Sequence, residues 1–316
     1  MFVTPQLFKH EPVYFSGTYS NSGSSGVREG SVSFRTEVAF SCNMYLFAIC
    51  VYVMIGSEPL SAASLCGKSR HFMARIVGGR DAMAAEFPWQ VSLVWKGQPF
   101  CGGSLISPSE VVTAAHCINN YTIEDLDVIA GARHPVIIQL NDDFVQKRKV
   151  RKGVRHEKFF GRYGHQKYDI GLLKLKKPFD FAKARGHIGA ICLPPRTYDV
   201  SGLMSISGFG WQREDGNMLA SVLQVATMAV LPNSTCDKAY GGRFDPETMF
   251  CAADFVNRQD SCKGDSGGPA MQTHEGRVVL AGIVSWGEGC GRKGLPGVYT
   301  RVSQYLDWIE SHRHLR

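Results

Sequence analysis

Ser266 lies in the run Asp260-Ser261-Cys262-Lys263-Gly264-Asp265-Ser266-Gly267-Gly268-Pro269. Small neighbours let the backbone turn sharply there and leave the hydroxyl open to a second molecule. A serine hydroxyl is unreactive at neutral pH. It becomes a nucleophile when a histidine takes its proton and a carboxylate orients that histidine. Candidates for both stand upstream: His116 in Thr113-Ala114-Ala115-His116-Cys117, and Asp169 in Tyr168-Asp169-Ile170-Gly171-Leu172-Leu173. Such a trio performs acyl transfer, with Ser266 attacking a carbonyl while His116 relays the proton to the leaving group. The plain alternative is a serine in a glycine-rich turn, which a lone Gly-x-Ser-x-Gly would favour. Two partners in fitting settings weigh against it.

In the order His, Asp, Ser and at whole-domain spacing, these motifs resemble a chymotrypsin-family serine protease of trypsin-like specificity. The resemblance runs from about Arg75 to near Ser311. It implies an all-β fold, two antiparallel six-stranded β-barrels with a C-terminal α-helix, and a catalytic cleft between the barrels. It implies peptide-bond hydrolysis through an acyl-enzyme, with no cofactor and no metal. The N–H groups of Gly264 and Ser266 form the oxyanion hole, where one donor is worth about 3–4 kcal/mol. Asp260 stands at the pocket floor, where an aspartate selects Arg or Lys. Ser285, Trp286 and Gly287 match the strand that pairs with substrate, and Gly287 and Gly297 leave the pocket walls open. The implied partners are protein substrates cleaved after Arg or Lys, an activating protease and protein protease inhibitors.

The junction Arg75-Ile76-Val77-Gly78-Gly79 matches the place where the family's zymogens are cut. The freed Ile76 amine folds inward onto the Asp265 carboxylate and orders the loop carrying Gly264 and Ser266. By the same resemblance the disulfides are Cys101–Cys117, Cys236–Cys251, Cys262–Cys290 and Cys66–Cys192, the last tethering the propeptide. A further family disulfide would join the positions held here by Met204 and Gln272, a loss of a few kcal/mol at most. Ala132 stands where calcium-binding members carry a glutamate, and Pro296 where sodium-regulated members carry an aromatic residue. Phe209 replaces a commoner Trp and Gly171 a commoner Ala.

Composition agrees with a folded extracellular protein. The 316 residues are 44% apolar and 20% charged, with 34 glycines suited to tight turns. Ten cysteines without any C-x-x-C or H-x-x-x-H point to disulfides in an oxidising compartment and away from zinc. A net charge of +7 permits contact with polyanions and does not argue for nucleic acid.

Residues 1–43 are polar, with a Ser/Gly run, and read as disordered or as an upstream extension. Met44 to Ile55 is an apolar run of 12 residues. That length makes a signal-peptide core and falls short of a stable membrane span. Ser61-Ala62-Ala63 supplies small residues for cleavage, so 44–63 reads as signal peptide, or else as signal anchor, and 64–75 as propeptide. Residues 76–316 form the protease domain, with barrels at about 76–192 and 196–301 around a boundary at Leu193-Pro194-Pro195. Expected strands are Gln90 to Trp95, Val111 to Ala114, Asp127 to Ala130 and Ile170 to Leu175. A second set begins near Leu203 and includes Ser221 to Leu231, Arg277 to Trp286 and Gly297 to Val302. Ser303 to Ser311 reads as a helix, with Val302, Tyr305, Leu306 and Ile309 on one face.

Asn120-Tyr121-Thr122 and Asn233-Ser234-Thr235 are glycosylation sequons expected in surface loops. Lys147-Arg148-Lys149-Val150-Arg151-Lys152, continued by Arg155 and Lys158, offers either a polyanion-binding face or a solvated strand edge. Two functions compete: an active secreted endopeptidase of a regulated cascade, and an inactive homologue acting as a binding protein or decoy. The intact trio and activation junction favour the enzyme.

Overall fold

Alternating apolar residues build two closed barrels in the computed structural model, which describes residues 66–70, 79–134, 144–161 and 166–313. These belong to one unit, residues 60–316. The upstream extension, the signal or anchor segment, Cys42, Cys50 and the Arg75–Ile76 junction lie outside the described residues. Among those residues no helix is long and apolar enough to cross a membrane.

The first barrel runs β2 (Gln90–Trp95), β3 (Gln98–Ser107), β4 (Glu110–Thr113), β5 (Leu126–Ala130), β6 (Gln146–Arg155) and β7 (Gly171–Leu175). They close in the order β2-β3-β4-β7-β6-β5 around Leu93, Leu105, Leu126, Val128, Val150 and Leu173, all fully buried. The second barrel comprises β8 (Leu203–Gly208), β9 (Gln224–Val230), β10 (Met249–Ala253), β11 (Pro269–His274), β12 (Arg277–Trp286) and β13 (Gly297–Arg301). Its order is β8-β9-β10-β13-β12-β11, closed by β11 pairing with β8, and a short β1 (Arg80–Asp81) pairs with β9. Every pairing between the named strands is antiparallel, and closure leaves almost no free sheet edge. The chain passes from one barrel to the other between Leu175 and Leu203.

The C-terminal helix starts later than its sequence pattern predicts. A 3-10 turn, Val302–Tyr305, precedes α2 (Leu306–Arg313), yet the predicted face holds, with Val302, Tyr305 and Ile309 buried and Leu306 packed on the core. An earlier helix, α1 (Asn233–Tyr240), was not expected, and it moves the second sequon from a loop to a helix start. Asn120 and Asn233 are both exposed.

Five strands had no clear signal: the two-residue β1, and β3, β6, β10 and β11. Strand β6 reads QKRKVRKGVR, with one apolar residue in its first seven. It is a strand because β5 and β7 pair with it on both sides. It is therefore no exposed edge, which removes edge protection as the reason for its lysines. Lys147 and Lys149 reach Asp127 at 2.9 and 3.2 Å. Arg148 lies over the Phe179 ring and donates to the Pro178 carbonyl. Among the described residues Arg151, Lys152, Arg155 and Lys158 have no ion pair, Lys158 lying over the Tyr168 ring, and the polyanion reading narrows to these four.

All four disulfides form as the resemblance implies: Cys66–Cys192, Cys101–Cys117, Cys236–Cys251 and Cys262–Cys290. Where a fifth would join Met204 and Gln272, hydrogen bonds stand instead. Gln272 Nε2 donates to the Ser201 and Leu203 carbonyls at 2.6 and 2.9 Å, and Tyr198 Oη donates to Gln272 Oε1 at 3.0 Å. Met204 fills the adjacent core and is 1% exposed. Gln272→Leu should therefore strand two carbonyls and a hydroxyl. A loss of about 2–4 kcal/mol and about 5–15 °C in Tm is expected. Thermal unfolding within a degree of the parent would show that the glutamine clamp carries no stability.

Candidate active site

The site grows from short connections at the ends of strands. Strand β4 ends at Thr113 and the chain turns at once into the 3-10 turn Ala115–Cys117, which carries His116. Tyr168 adopts φ 60° and delivers Asp169 just before β7. Asp169 is fully buried. It is satisfied by three donors: the His116 N–H at 2.9 Å, His116 Nδ1 at 2.7 Å and Ser285 Oγ at 2.6 Å. Burial disfavours protonation of His116, but the charge and hydrogen bond of Asp169 outweigh it. Its pKa is raised above the ordinary 6.5.

Ser266 sits in the turn between Cys262 and β11. The turn is stitched to both barrels, since Gly102 N–H donates to the Ser266 carbonyl and Gly267 N–H to the Val284 carbonyl, each at 2.8 Å. Gly267 needs to be glycine: φ is +79°, and a side chain would strike Thr113 and the Gly102 carbonyl. Trp211 N–H binds the Lys263 carbonyl at 2.9 Å. Carbonyl and N–H of a trans peptide point opposite ways, so this bond turns the Gly264 N–H to the other side. Neither the Gly264 nor the Ser266 N–H donates to an acceptor among the described residues.

His116 and Ser266 share a cleft of about 650 Å³ with Asp260, Ser285, Trp286, Gly287 and Gly297. Asp260 accepts the N–H groups of Ser261 at 2.8 Å and Gly291 at 2.9 Å. Burial outweighs those bonds and lifts its pKa to about 6. A Cβ on Gly297 would come within 2.6 Å of Asp260 Oδ1, whereas one on Gly287 meets only ordinary contacts beyond 3.8 Å. The first glycine is demanded by packing on Asp260, and the second keeps the cleft open.

Asp265 points away from this cleft into a smaller cavity of about 240 Å³, bordered by Gly79, Gly208 and Gly210. It accepts Gly210 N–H at 2.7 Å and Cys262 N–H at 2.9 Å, and burial raises its pKa to about 6. Among the described residues no cationic side chain pairs with it. Ile76, its expected partner, lies outside them.

The family model for trypsin matches residues 76–309. The chain belongs to the trypsin family. It is 40% identical over 237 residues to rabbit (Oryctolagus cuniculus) coagulation factor IX, covering 74% of this chain and 83% of that protein. It is 38% identical over 251 residues to serine proteinase stubble of Drosophila melanogaster, 75% of this chain and 31% of that protein. With transmembrane protease serine 7 of Mus musculus the identity is 37% over 251 residues, 78% of this chain and 29% of that protein. The chain thus spans under a third of two of these trypsin-family relatives.

Some contributors gave no signal in sequence. The Ser285 hydroxyl binds Asp169, although the residue was expected only on a substrate-pairing strand. Thr300 Oγ1 donates to the Asp169 carbonyl at 2.9 Å. Trp286 Nε1 and Gln166 Oε1 line the cleft as buried polar atoms without a partner among the described residues. Cys101, His116 and Cys117 bring three possible metal-ligand atoms together, but the two sulfurs are joined to each other and offer no thiolate.

By NMR titration, the His116 ring should show a midpoint above 6.5. In Asp169→Asn that midpoint should drop below 6.5, because burial then acts with no charge to oppose it. Equal midpoints in the two proteins would show that Asp169 does not set the protonation of His116.

Proposed function

We propose that this chain is the zymogen of a secreted serine endopeptidase that cleaves after Arg and Lys in a regulated extracellular cascade. The observation that carries the reading is one cleft holding Ser266, His116 and Asp260, with the buried Asp169 bonded to His116 Nδ1 at 2.7 Å. Ser266 Oγ attacks the scissile carbonyl, and His116 takes the proton and returns it to the leaving amine. Asp169 holds the tautomer and stabilises the imidazolium. The two undirected N–H groups, Gly264 and Ser266, receive the oxyanion. Protein inhibitors would occupy the same cleft.

Asp260 gives the specificity a physical basis. It faces a cleft with two backbone N–H groups and the Ser261 hydroxyl to stabilise its charge, too little to offset burial. A substrate guanidinium supplies what is missing and lowers its pKa again. The direct test is hydrolysis of a fluorogenic arginine amide by protein cut after Arg75, with Ser266→Ala as the inert control. Leaving a buried cation unpaired costs about 3–5 kcal/mol, so Asp260→Ser should lower kcat/KM on arginine substrates by about 10²- to 10⁴-fold. Apolar substrates should change far less. Equal losses on both would place the damage in the catalytic groups or the fold.

Activation follows from Asp265. A carboxylate whose pKa burial lifts to about 6 is an unfavourable charge at neutral pH, and the Ile76 amine freed by cleavage is the cation to offset it. Secretion rests on the 12-residue apolar run, with exposed Asn120 and Asn233 as glycan acceptors. A retained anchor is the competing reading, favoured by one relative's name, transmembrane protease. Arg75→Gln should fold normally and stay inert after exposure to an activating protease. The cut parent should lose activity at alkaline pH, as the raised amine pKa is passed and its proton is lost. Full activity in the uncut variant would refute this activation mechanism.

A further inference from the structure

Strand β6 carries a concentration of positive charge that the reading above leaves without a role. Lys147, Arg148, Lys149, Arg151 and Lys152 stand almost consecutively, and Arg155 and Lys158 follow. A strand paired on both sides needs no charges to guard an edge, and lysine is a poor strand former. Local structure therefore gives no reason for them.

Their surroundings divide the group in two. Lys147 and Lys149 are taken by Asp127, and Arg148 lies against Pro178 and Phe179. Arg151, Arg155 and Lys158 are exposed and Lys152 is half-buried, with no ion pair among the described residues. Nearby carboxylates do not answer them. Glu157, although it stands between Arg155 and Lys158 in sequence, turns to the C-terminal helix. There it accepts Trp308 Nε1 and meets His312 Nε2, each at 3.0 Å. Glu124 and Asp125 lie on the 3-10 turn Ile123–Asp125, whose Ile123 packs on Gly153, and neither forms an ion pair among the described residues. Lys152 is also paired in register with Lys174 of β7, whose ammonium donates to the Arg313 carbonyl. Like charges directly opposite across a ladder repel, and a bound anion would relieve that repulsion.

Arg151 and Arg155 stand about 13 Å apart along an extended strand, so the charges form a row on a rigid element. The row lacks the apolar anchors of a protein interface, since Phe160 is the one exposed large apolar side chain described in this part of the chain. It fits a partner that presents anions in series along one extended chain. We propose that Arg151, Lys152, Arg155 and Lys158 form a docking surface for a sulfated polysaccharide. The two guanidinium forks suit the oxygens of a sulfate group, and the two ammonium groups add point charge. None of the four lines the cleft of Ser266, so the bound protein keeps that cleft open.

The test measures binding of the full-length protein to heparin at about 0.15 M salt. Arg151→Ala, Lys152→Ala, Arg155→Ala and Lys158→Ala made together should weaken binding by about tenfold or more. Lys68, Lys183, Lys238 and Lys293 are exposed elsewhere, and changing them to alanine removes the same charge. That variant should lose less than about threefold, the share of net charge alone at this salt. In the unsubstituted protein, heparin should shield Lys152 and Lys158 from acetylation and leave Lys183 and Lys238 reactive, a readout independent of how any variant folds. Equal weakening in the two variants would reduce the attraction to net charge and overturn the proposal. So would a parent that does not bind, or acetylation of Lys152 and Lys158 unchanged by heparin. Polyglutamate of matched charge competing as well as heparin would also overturn it and make an acidic protein the partner. Hydrolysis of an arginine amide is read separately, and its absence would sink the endopeptidase reading while leaving this one standing.

Discussion

The rest of the site depends on the buried charge of Asp169. A carboxylate with no exposure is tolerated only when its oxygens are hydrogen-bonded, and here the donors come from both barrels. His116 approaches from the end of β4, Ser285 from β12, and Thr300 of β13 takes the Asp169 carbonyl. The polar node therefore fixes how the two barrels meet, at the cleft that His116 and Ser266 both line. Other cross-barrel bonds support the same seam. Ser207 Oγ donates to Gln90 Oε1 at 2.7 Å, and Trp89 Nε1 lies 3.0 Å from Met271 Sδ.

Asp260 and Asp265 show the opposite condition. Each accepts two backbone N–H groups, yet burial still lifts both to about 6. A raised carboxylate pKa means that the ionised form is disfavoured in the fold. This cost appears as pH rises through the unfolded value near 3.9 and is fully present above about 6. Stability is given up at neutral pH, and a cation arriving at either site recovers it. Asp265 lies within the turn Cys262 to Ser266, and Asp260 stands just before it. That turn is the natural point for binding and activation to be felt together.

Glycines make this turn possible, and neighbours make it definite. The Lys263–Gly264 peptide is oriented by Trp211 and covered by Leu219, and Gly264 itself takes a positive φ. The segment from Trp211 to Leu219 thus shapes the turn before Ser266 on one side and, with Pro99 and Phe100, lines a surface hollow on the other. Glu214 on the same segment pairs with Arg292 through a bond of 2.9 Å to Nε, which ties it to the wall of the Asp260 cleft.

The candidate site was legible in the sequence because Ser266, His116 and Asp169 each stand in a distinctive local setting. Strands such as β2, β5, β7 and β12 were legible for another reason: their apolar content reflects local burial. Strand β6 was not, because its residues are charged and only pairing on both sides makes it a strand. The clamp at Gln272, the Ser285 hydroxyl on Asp169 and the hollow roofed by Leu219 were equally hidden. Each joins residues at least 45 positions apart, and a single polar or apolar side chain says nothing locally about its distant partner. Sequence determined which groups are available and how each strand prefers to lie. Barrel closure decided which of them meet, because antiparallel register and the burial of one carboxylate leave few ways to bring the two halves together.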